Sequence, residues 1–297
     1  MHPAAIARFA ALKTRFIVNP NSGRAAGALA AVRTFAVAHG AEFVLTGRTR
    51  HASELAAQAV RDACALVVAV GGDGTMNEVA GALAGTPAIL GLVPCGSGNG
   101  LGRHLQIHGS ISRALRVLEA GRPRLIDSGL ADGHAFFNVA GLGFEAEIAR
   151  RFNALPHRGF ARYLTTGLAA WRDCRPTDYV ITHQGRTERV RAFTLAVANS
   201  DQYGNGARIA PSARVDDGLL DLCAIPPVSL WRALPLLFRL FRGTLAHAPG
   251  VTRLQAEHFV VEPAGPGLLH TDGELHAAGA RIEFAVRPAS LRVMGPA

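Results

Sequence analysis

Residues 66–78 read Leu66-Val67-Val68-Ala69-Val70-Gly71-Gly72-Asp73-Gly74-Thr75-Met76-Asn77-Glu78. The first five are short, apolar and Val-rich, as a parallel strand covered on both faces should be. Gly71 and Gly72 let the backbone turn sharply without a Cβ clash. Thr75 and Glu78 stand at capping-box spacing, which predicts a helix starting there. A glycine turn that opens a helix is a natural anion site, because free N–H groups and the helix dipole both favour negative charge. Asp73 inside that turn either caps the following helix or handles a metal ion.

Two companion loops surround this junction in the sequence. Arg15–Val18 reads as a strand, and Asn19-Pro20-Asn21-Ser22-Gly23-Arg24 follows it. Pro20 cannot continue a central strand, and the Asn, Ser and Gly residues favour turns. Ile89–Val93 reads as another strand, followed by Pro94-Cys95-Gly96-Ser97-Gly98-Asn99-Gly100 and a helix beginning near Leu101. Loops that follow parallel strands gather at the carboxyl edge of an open sheet, where ligands bind. Three such polar, small-residue loops predict a phosphate-bearing ligand rather than simple turns.

Strand and helix patterns alternate up to about Arg124. Helices are expected at 25–38, 52–63 and 110–121, with a further strand at 42–46, and Pro123 punctuates the end. Repeated βα units predict a mostly parallel sheet. From Leu125 short strand-like runs take over, at 125–126, 135–139, 179–182, 193–198, 219–224, 259–262 and 281–286. The expected class is therefore α/β, with a Rossmann-like nucleotide-binding domain over 1–124 and a β-rich, acceptor-binding domain over 125–287. Residues 288–297 are expected to pack back onto the first domain, and a nucleotide cleft is expected between the two.

Composition bounds the function. With 49% apolar residues among 297, the chain can build a well-packed core and does not have the composition of a disordered protein. No apolar run reaches the roughly 18 residues that cross a bilayer, and residues 1–13 do not read as a secretory leader. Cys64, Cys95, Cys174 and Cys223 are scattered without CxxC spacing, which argues for a reducing cytoplasm over a zinc or disulfide framework. Lys and Arg number 31 against 22 acidic residues, a net charge of +9. Such a surface suits an anionic membrane, a phosphorylated substrate or nucleic acid. No helix-turn-helix, zinc-finger or aromatic RNA-platform motif supports the last, so nucleic acid is not expected as a partner.

NPNSG, GGDGTMNEV and PCGSGN, in this order and spacing, resemble the diacylglycerol kinase catalytic superfamily. That group includes bacterial soluble lipid kinases and sphingosine and ceramide kinases. The similarity continues through FNVAGLGFEAEIARR (137–151), ANSDQYGNGARIAPSARVDDGLLDL (198–222) and HTDGE (270–274), so it covers about residues 14–290. GGDGT alone is less specific, since NAD kinases and phosphofructokinases carry similar loops. The resemblance implies a β-sandwich-like second domain and transfer of the γ-phosphoryl group of ATP to a lipid alcohol, with Mg2+. It is a chemistry of alignment and charge neutralisation.

Residue by residue, the resemblance implies a phosphate- and magnesium-linked carboxylate at Asp73. Gly71, Gly72, Gly74, Gly96 and Gly98 would permit close phosphate approach. Asn19, Ser22, Gly23 and Arg24 match the first loop, Thr75 and Glu78 the glycine motif, and Ser97 and Asn99 the second nucleotide loop. Asp272 is the expected general base, with Glu274 as neighbour or alternate; read without the family, Thr271–Glu274 is a respectable β-turn. A structural magnesium is implied on the Asp217 carboxylate and the carbonyls of Arg214 and Leu219, where the bare sequence shows a turn. Glu147 aligns with an acidic residue that meets the amino-alcohol head in sphingosine kinases.

One departure bears on the substrate. Gly100 stands where many bacterial diacylglycerol kinases carry an Asp whose water-linked network reaches that magnesium. The loop is closer to that of long-chain-base kinases, so the acceptor stays open between diacylglycerol and a sphingoid-like base. Trp231–Arg242 (WRALPLLFRLFR) reads first as a core helix lining or covering the acceptor cleft, interrupted by Pro235. Its other reading is an interfacial segment with Arg near headgroups. The alternatives to a lipid kinase are an NAD kinase-like enzyme and a non-catalytic lipid- or nucleotide-binding protein. A homodimer and peripheral contact with the inner face of an anionic membrane complete the expectations.

Overall fold

The computed structural model describes residues 12–153, 167, 170, 171 and 173–297. The expectation about a leader at the start of the chain falls largely on residues outside this set. The chain divides into two compact units, Met1–Ile126 with Ala289–Ala297, and Asp127–Pro288.

The first unit holds β1 (Thr14–Val18), α1 (Ala25–Ala38), β2 (Glu42–Leu45), α2 (His51–Arg61), β3 (Leu66–Gly71), α3 (Asp73–Leu83), β4 (Ile89–Pro94), α4 (Gly100–His104) and α5 (Ile111–Ala120). Its sheet runs β2-β1-β3-β4 with every pair parallel, and the end of the last strand of the chain adds beside β4 through Arg292↔Ile89. All residues of β1 and β3 are buried, which explains why both read as unbroken apolar runs. Arg15 is the exception in chemistry, and its guanidinium is paired with Glu42 at 2.6 Å and Asp62 at 2.7 Å. Strand order reverses between β1 and β3, a topological switch point where ligands settle in open α/β sheets.

The second unit contains β5 (Arg122–Ala131, whose first residues precede the unit), β6 (His134–Phe136), β7 (Val139–Gly143), α6 (Phe144–Asn153), β8 (Thr177–His183), β9 (Arg186–Ala192), β10 (Thr194–Ala198), β11 (Gln202–Gly204), β12 (Ala207–Arg208), β13 (Leu220–Ile225), α7 (Leu230–Arg242), β14 (Thr252–Ala256), β15 (His258–Pro263), β16 (Gly267–Thr271), β17 (Glu274–Ala278) and the beginning of β18 (Ile282–Gly295). One antiparallel sheet runs β14-β13-β10-β7-β16-β17, and β18, β15, β8 and β9 line up antiparallel in another. Leu142, Leu195, Val197, Leu222 and Leu269 from the first face Tyr179, Ile181, Phe259, Val261 and Phe284 from the second in one buried cluster. Alternation then sends Ala196, Ala198 and Cys223 to the opposite side, where they pack with Leu236, Leu240 and Leu245. The unit is a β-sandwich with α7 laid over one outer face.

Three local expectations need correction. Helix α3 begins at Asp73 with Gly72 as its N-cap, so Thr75 lies in the first turn and does not cap. The strand expected over 135–139 is broken at Phe137–Asn138, because the N–H groups of Phe137, Asn138 and Val139 all serve a side chain instead of a neighbouring strand. Helix α7 runs through Pro235 without interruption, and it is not a core helix: Trp231, Leu234, Phe238 and Phe241 are exposed.

Candidate functional site

In the first unit the three small-residue loops meet at the carboxyl ends of β1, β3 and β4. Their closeness depends on missing side chains. A Cβ on Gly96 would lie 2.6 Å from the Cα of Gly72, and a Cβ on Gly72 would lie 2.9 Å from Ser22 Oγ. Gly23 has φ +50°, and a side chain there would collide with the Cys95 carbonyl, which accepts from Arg24 N at 2.9 Å. Packing around the Cys95 thiol pushes it up to about 11, so it stays neutral and inert beneath the loop.

Asp73 fastens the arrangement. Its Oδ2 accepts from Asn99 N at 2.8 Å and its Oδ1 from Gly100 N at 2.7 Å. The carboxylate thus caps the start of α4, and neither caps its own helix nor stands open as a lone metal ligand. Burial pushes its pKa up, against the pull of the Gly100 and Asn99 N–H groups. Asn99, at φ 52°, closes its own loop by accepting from Gly96 N and donating to Gly96 O. Asn19 donates to Thr75 Oγ1 at 3.2 Å, tying the first loop to the glycine motif. Glu78 turns away from the loops: its Oε2 accepts from Ala52 N at 3.0 Å and Ser53 N at 3.3 Å, capping α2. Its part in the expected capping box is therefore corrected, because another helix end claims it. Gly74, Ser97 and Arg24 remain exposed at the rim, and Arg24 borders an open hollow of about 400 Å3 with Gly27, Ala28 and Ile111.

The second unit holds the other expected carboxylates. Asp272 and Gly273, at φ 50° and 88°, form the two-residue turn of the β16–β17 hairpin, with Thr271 opposite Glu274. The turn and the expected base therefore fall on the same residue. Asp272 Oδ2 accepts from Phe137 N at 2.7 Å, and its Oδ1 accepts from Asn138 N and Val139 N, each at 3.0 Å. Burial pushes Asp272 up to about 6, while the three N–H donors pull the other way. Buried polar groups hold the donors still. Asn199 Nδ2 reaches the carbonyls of Asp127 and Phe137, and Ser200 Oγ donates to Asn138 Oδ1, each at 3.0 Å. Glu274 is exposed at the start of β17.

Sequence reading missed a buried acid of this unit. Glu145, on the first turn of α6, accepts from the Tyr203 hydroxyl and lies 3.5 Å from His270 Nε2. Among the described residues its Oε1 has no hydrogen-bond partner, and burial pushes its pKa up against the neighbouring His270. The available signal was Gly141, where any Cβ would overlap the Glu145 carboxylate. Glu147, the residue expected from the resemblance, instead pairs with Arg150 at 2.7 Å and with Arg151, and Arg150 chiefly pulls it down to about 2.

The expected magnesium loop does not make a cage. Asp217 is exposed, and its Oδ1 accepts from Leu219 N at 3.1 Å, while Arg214 Nε is engaged by Asp216. Gly218 N goes to Asp127 Oδ2 at 2.8 Å. The Asp217 carboxylate is exposed and partly used within its turn, with Asp127 engaged at the neighbouring Gly218. Among the described residues no group of three or more His, Cys, Asp or Glu could hold a metal.

Residues 13–131 match the model of the diacylglycerol kinase catalytic domain, and residues 138–295 match that of the YegS C-terminal NAD kinase β-sandwich-like domain. A diacylglycerol kinase of Mycobacterium tuberculosis is 31% identical over 297 residues, covering 96% of this chain and 95% of the relative. A Pseudomonas syringae protein named "Probable lipid kinase YegS-like" is 30% identical over 257 residues, 85% and 83% of the two chains. The crystal structure of a diacylglycerol kinase from Bacillus anthracis superposes with a TM-score of 0.74 at 18% identity, over 95% of this chain and 96% of that one. An NAD kinase from Archaeoglobus fulgidus, solved in complex with ATP, does so at 0.56 and 14%, over 95% and 93%. The two structures show the fold alone. The matched family domains and the relatives matched along nearly their full length place the chain in the diacylglycerol kinase family.

Proposed function

We propose that this protein transfers the γ-phosphoryl group of ATP to the hydroxyl of a membrane lipid, a diacylglycerol or a sphingoid-like base. The observation that carries this reading is the cradle of Gly72, Gly96 and Gly98 around Asp73. A Cβ on Gly96 would meet the Gly72 backbone and one on Gly98 the Asp73 carboxylate, so the loops stay free of side chains at the switch point of a parallel sheet, where a phosphate can approach the main chain. Relatives named lipid kinase and diacylglycerol kinase, and a neighbour of the same fold solved with ATP, support it.

The first unit then holds the triphosphate, with exposed Arg24 offering positive charge and Ser97 a hydroxyl at the rim. The second unit supplies the base. Asp272 Oδ2 carries a single N–H bond and keeps acceptor capacity for a hydroxyl proton. Raised to about 6, it is ionised at neutral pH yet more basic than an ordinary carboxylate. The lipid oxygen forms its bond to the γ-phosphorus, the bond to the bridging oxygen breaks, ADP leaves, and the proton ends on Asp272. Magnesium, if bound with the nucleotide, would supply charge neutralisation.

The test is purified protein with radiolabelled ATP, offered diacylglycerol vesicles, sphingosine micelles and NAD in parallel. Label in lipid, lost on Asp272→Asn with nucleotide affinity retained, is the expected result. Label in NAD alone, or nucleotide binding without any turnover, would sink the reading.

A further inference from the structure

Helix α7 carries two apolar faces, and only one is used by the fold. Leu236 and Leu240 pack against the cluster around Val139, Ala196 and Leu245. Trp231, Leu234, Phe238 and Phe241 project the other way, with Trp231 81% and Phe238 59% exposed. Spacings of three and four residues keep these side chains in one stripe. A surface helix ordinarily places polar residues there.

The charge carried by the helix has one sign. No Asp or Glu occurs between Asp221 and Glu257, and α7 itself contains Arg232, Arg239 and Arg242. The Arg242 guanidinium sits 4.6 Å over the Phe238 ring, at the edge of the stripe, and Arg239 is partly exposed on the same helix. Among the described residues no helix is long and apolar enough to cross a membrane. An aromatic stripe bordered by arginine, on a helix without a carboxylate of its own, matches an anionic lipid surface: rings enter the headgroup boundary while guanidinium groups meet phosphates. A second copy docking the same face on itself would bring these arginines toward each other, which like-charge repulsion opposes.

We infer that the exposed face of α7 docks this protein onto the surface of an anionic bilayer. The full chain is mixed with vesicles of phosphatidylcholine, with and without phosphatidylglycerol, free of diacylglycerol and ATP. Failure here is thus distinct from failure of the kinase reading. The chain has two tryptophans, so Trp171→Phe leaves Trp231 as sole reporter. The expected result is a blue shift of Trp231 and flotation that requires phosphatidylglycerol. Trp231→Ser with Phe238→Ser should weaken binding at least about tenfold. Arg239→Gln with Arg242→Gln should reduce both binding and its salt sensitivity. Circular dichroism checks that the variants are folded, as substitution at exposed sites predicts. Binding unchanged in the serine variant, no binding by the wild type, or a lipid-free dimer that the serine variant dissolves would each overturn the inference.

Discussion

The two units treat their buried acids differently. In the first, the carboxylates of the glycine motif are consumed by main-chain donors: Asp73 by Asn99 and Gly100, Glu78 by Ala52 and Ser53. In the second, burial lifts Asp272 to about 6 against three N–H donors, much as it raises Asp73, but among the described residues the buried Oε1 of Glu145 has no hydrogen-bond partner. Acids of the first kind hold loops in place. A buried acid left incompletely satisfied costs stability, and such groups concentrate where chemistry or binding is done. Under the proposed function, the first unit is the scaffold for phosphate and the second the place where the proton goes.

The strongest way to break this contrast is at Asp272. Asp272→Asn should lower kcat/KM by about 10^2 to 10^4, the usual worth of a general base, while nucleotide affinity changes little. The pH profile sharpens it. Wild-type activity should rise as pH passes through about 6, where Asp272 loses its proton. Stability should move oppositely. A carboxyl whose folded pKa is raised binds its proton more tightly in the native state, so its contribution falls as pH climbs from the ordinary carboxylate range to about 6. A flat activity profile between pH 5 and 8 would remove Asp272 from the chemistry.

The scaffold itself is tested next. Gly96→Ala would set a Cβ 2.6 Å from the Cα of Gly72, where backbone meets backbone and neither can step aside cheaply. Asp73→Asn would offer one good acceptor and one donor to two N–H groups. Loss of one charge-assisted bond costs about 1.5–3 kcal/mol. Both variants should weaken ATP binding by about tenfold or more in titration calorimetry, leaving the second unit's hydrogen exchange unaltered. Glu145→Gln probes the opposite kind of acid. Removing a carboxyl that burial disfavours should raise the melting temperature at pH 8 and flatten its fall with pH.

The parallel sheet was legible because β3, most of β4 and residues 16–18 of β1 are buried and spell apolar runs. The loops announced themselves through Gly, Asn and Pro, whose backbone requirements are local. What stayed hidden was long-range. Nothing near Asp73 or Glu78 in sequence reveals that their partners are the starts of helices more than 20 residues away. Likewise Asp272 finds Phe137, Asn138 and Val139 across more than 130 residues of chain, and it breaks the strand that their alternation predicts. The sandwich was readable as short strands, but β9, β14 and β17, more polar and partly exposed, lacked the apolar signature. Helix α7 misled for the reverse reason: apolar composition signals burial, and here half of it faces solvent.

The smallest expected effect separates the two acids of the glycine motif from each other. Glu78→Ala leaves the Ala52 and Ser53 N–H groups at the start of α2 without their carboxylate. Such caps are worth about 1 kcal/mol. The cost should appear as a drop of a few degrees in melting temperature and faster amide exchange at the start of α2. ATP affinity should stay within about twofold of wild type, since the lost free energy lies outside the loops. A large loss of nucleotide affinity in this variant would mean that Glu78 reaches the phosphates after all, and the division between structural and working acids would have to be redrawn inside the first unit.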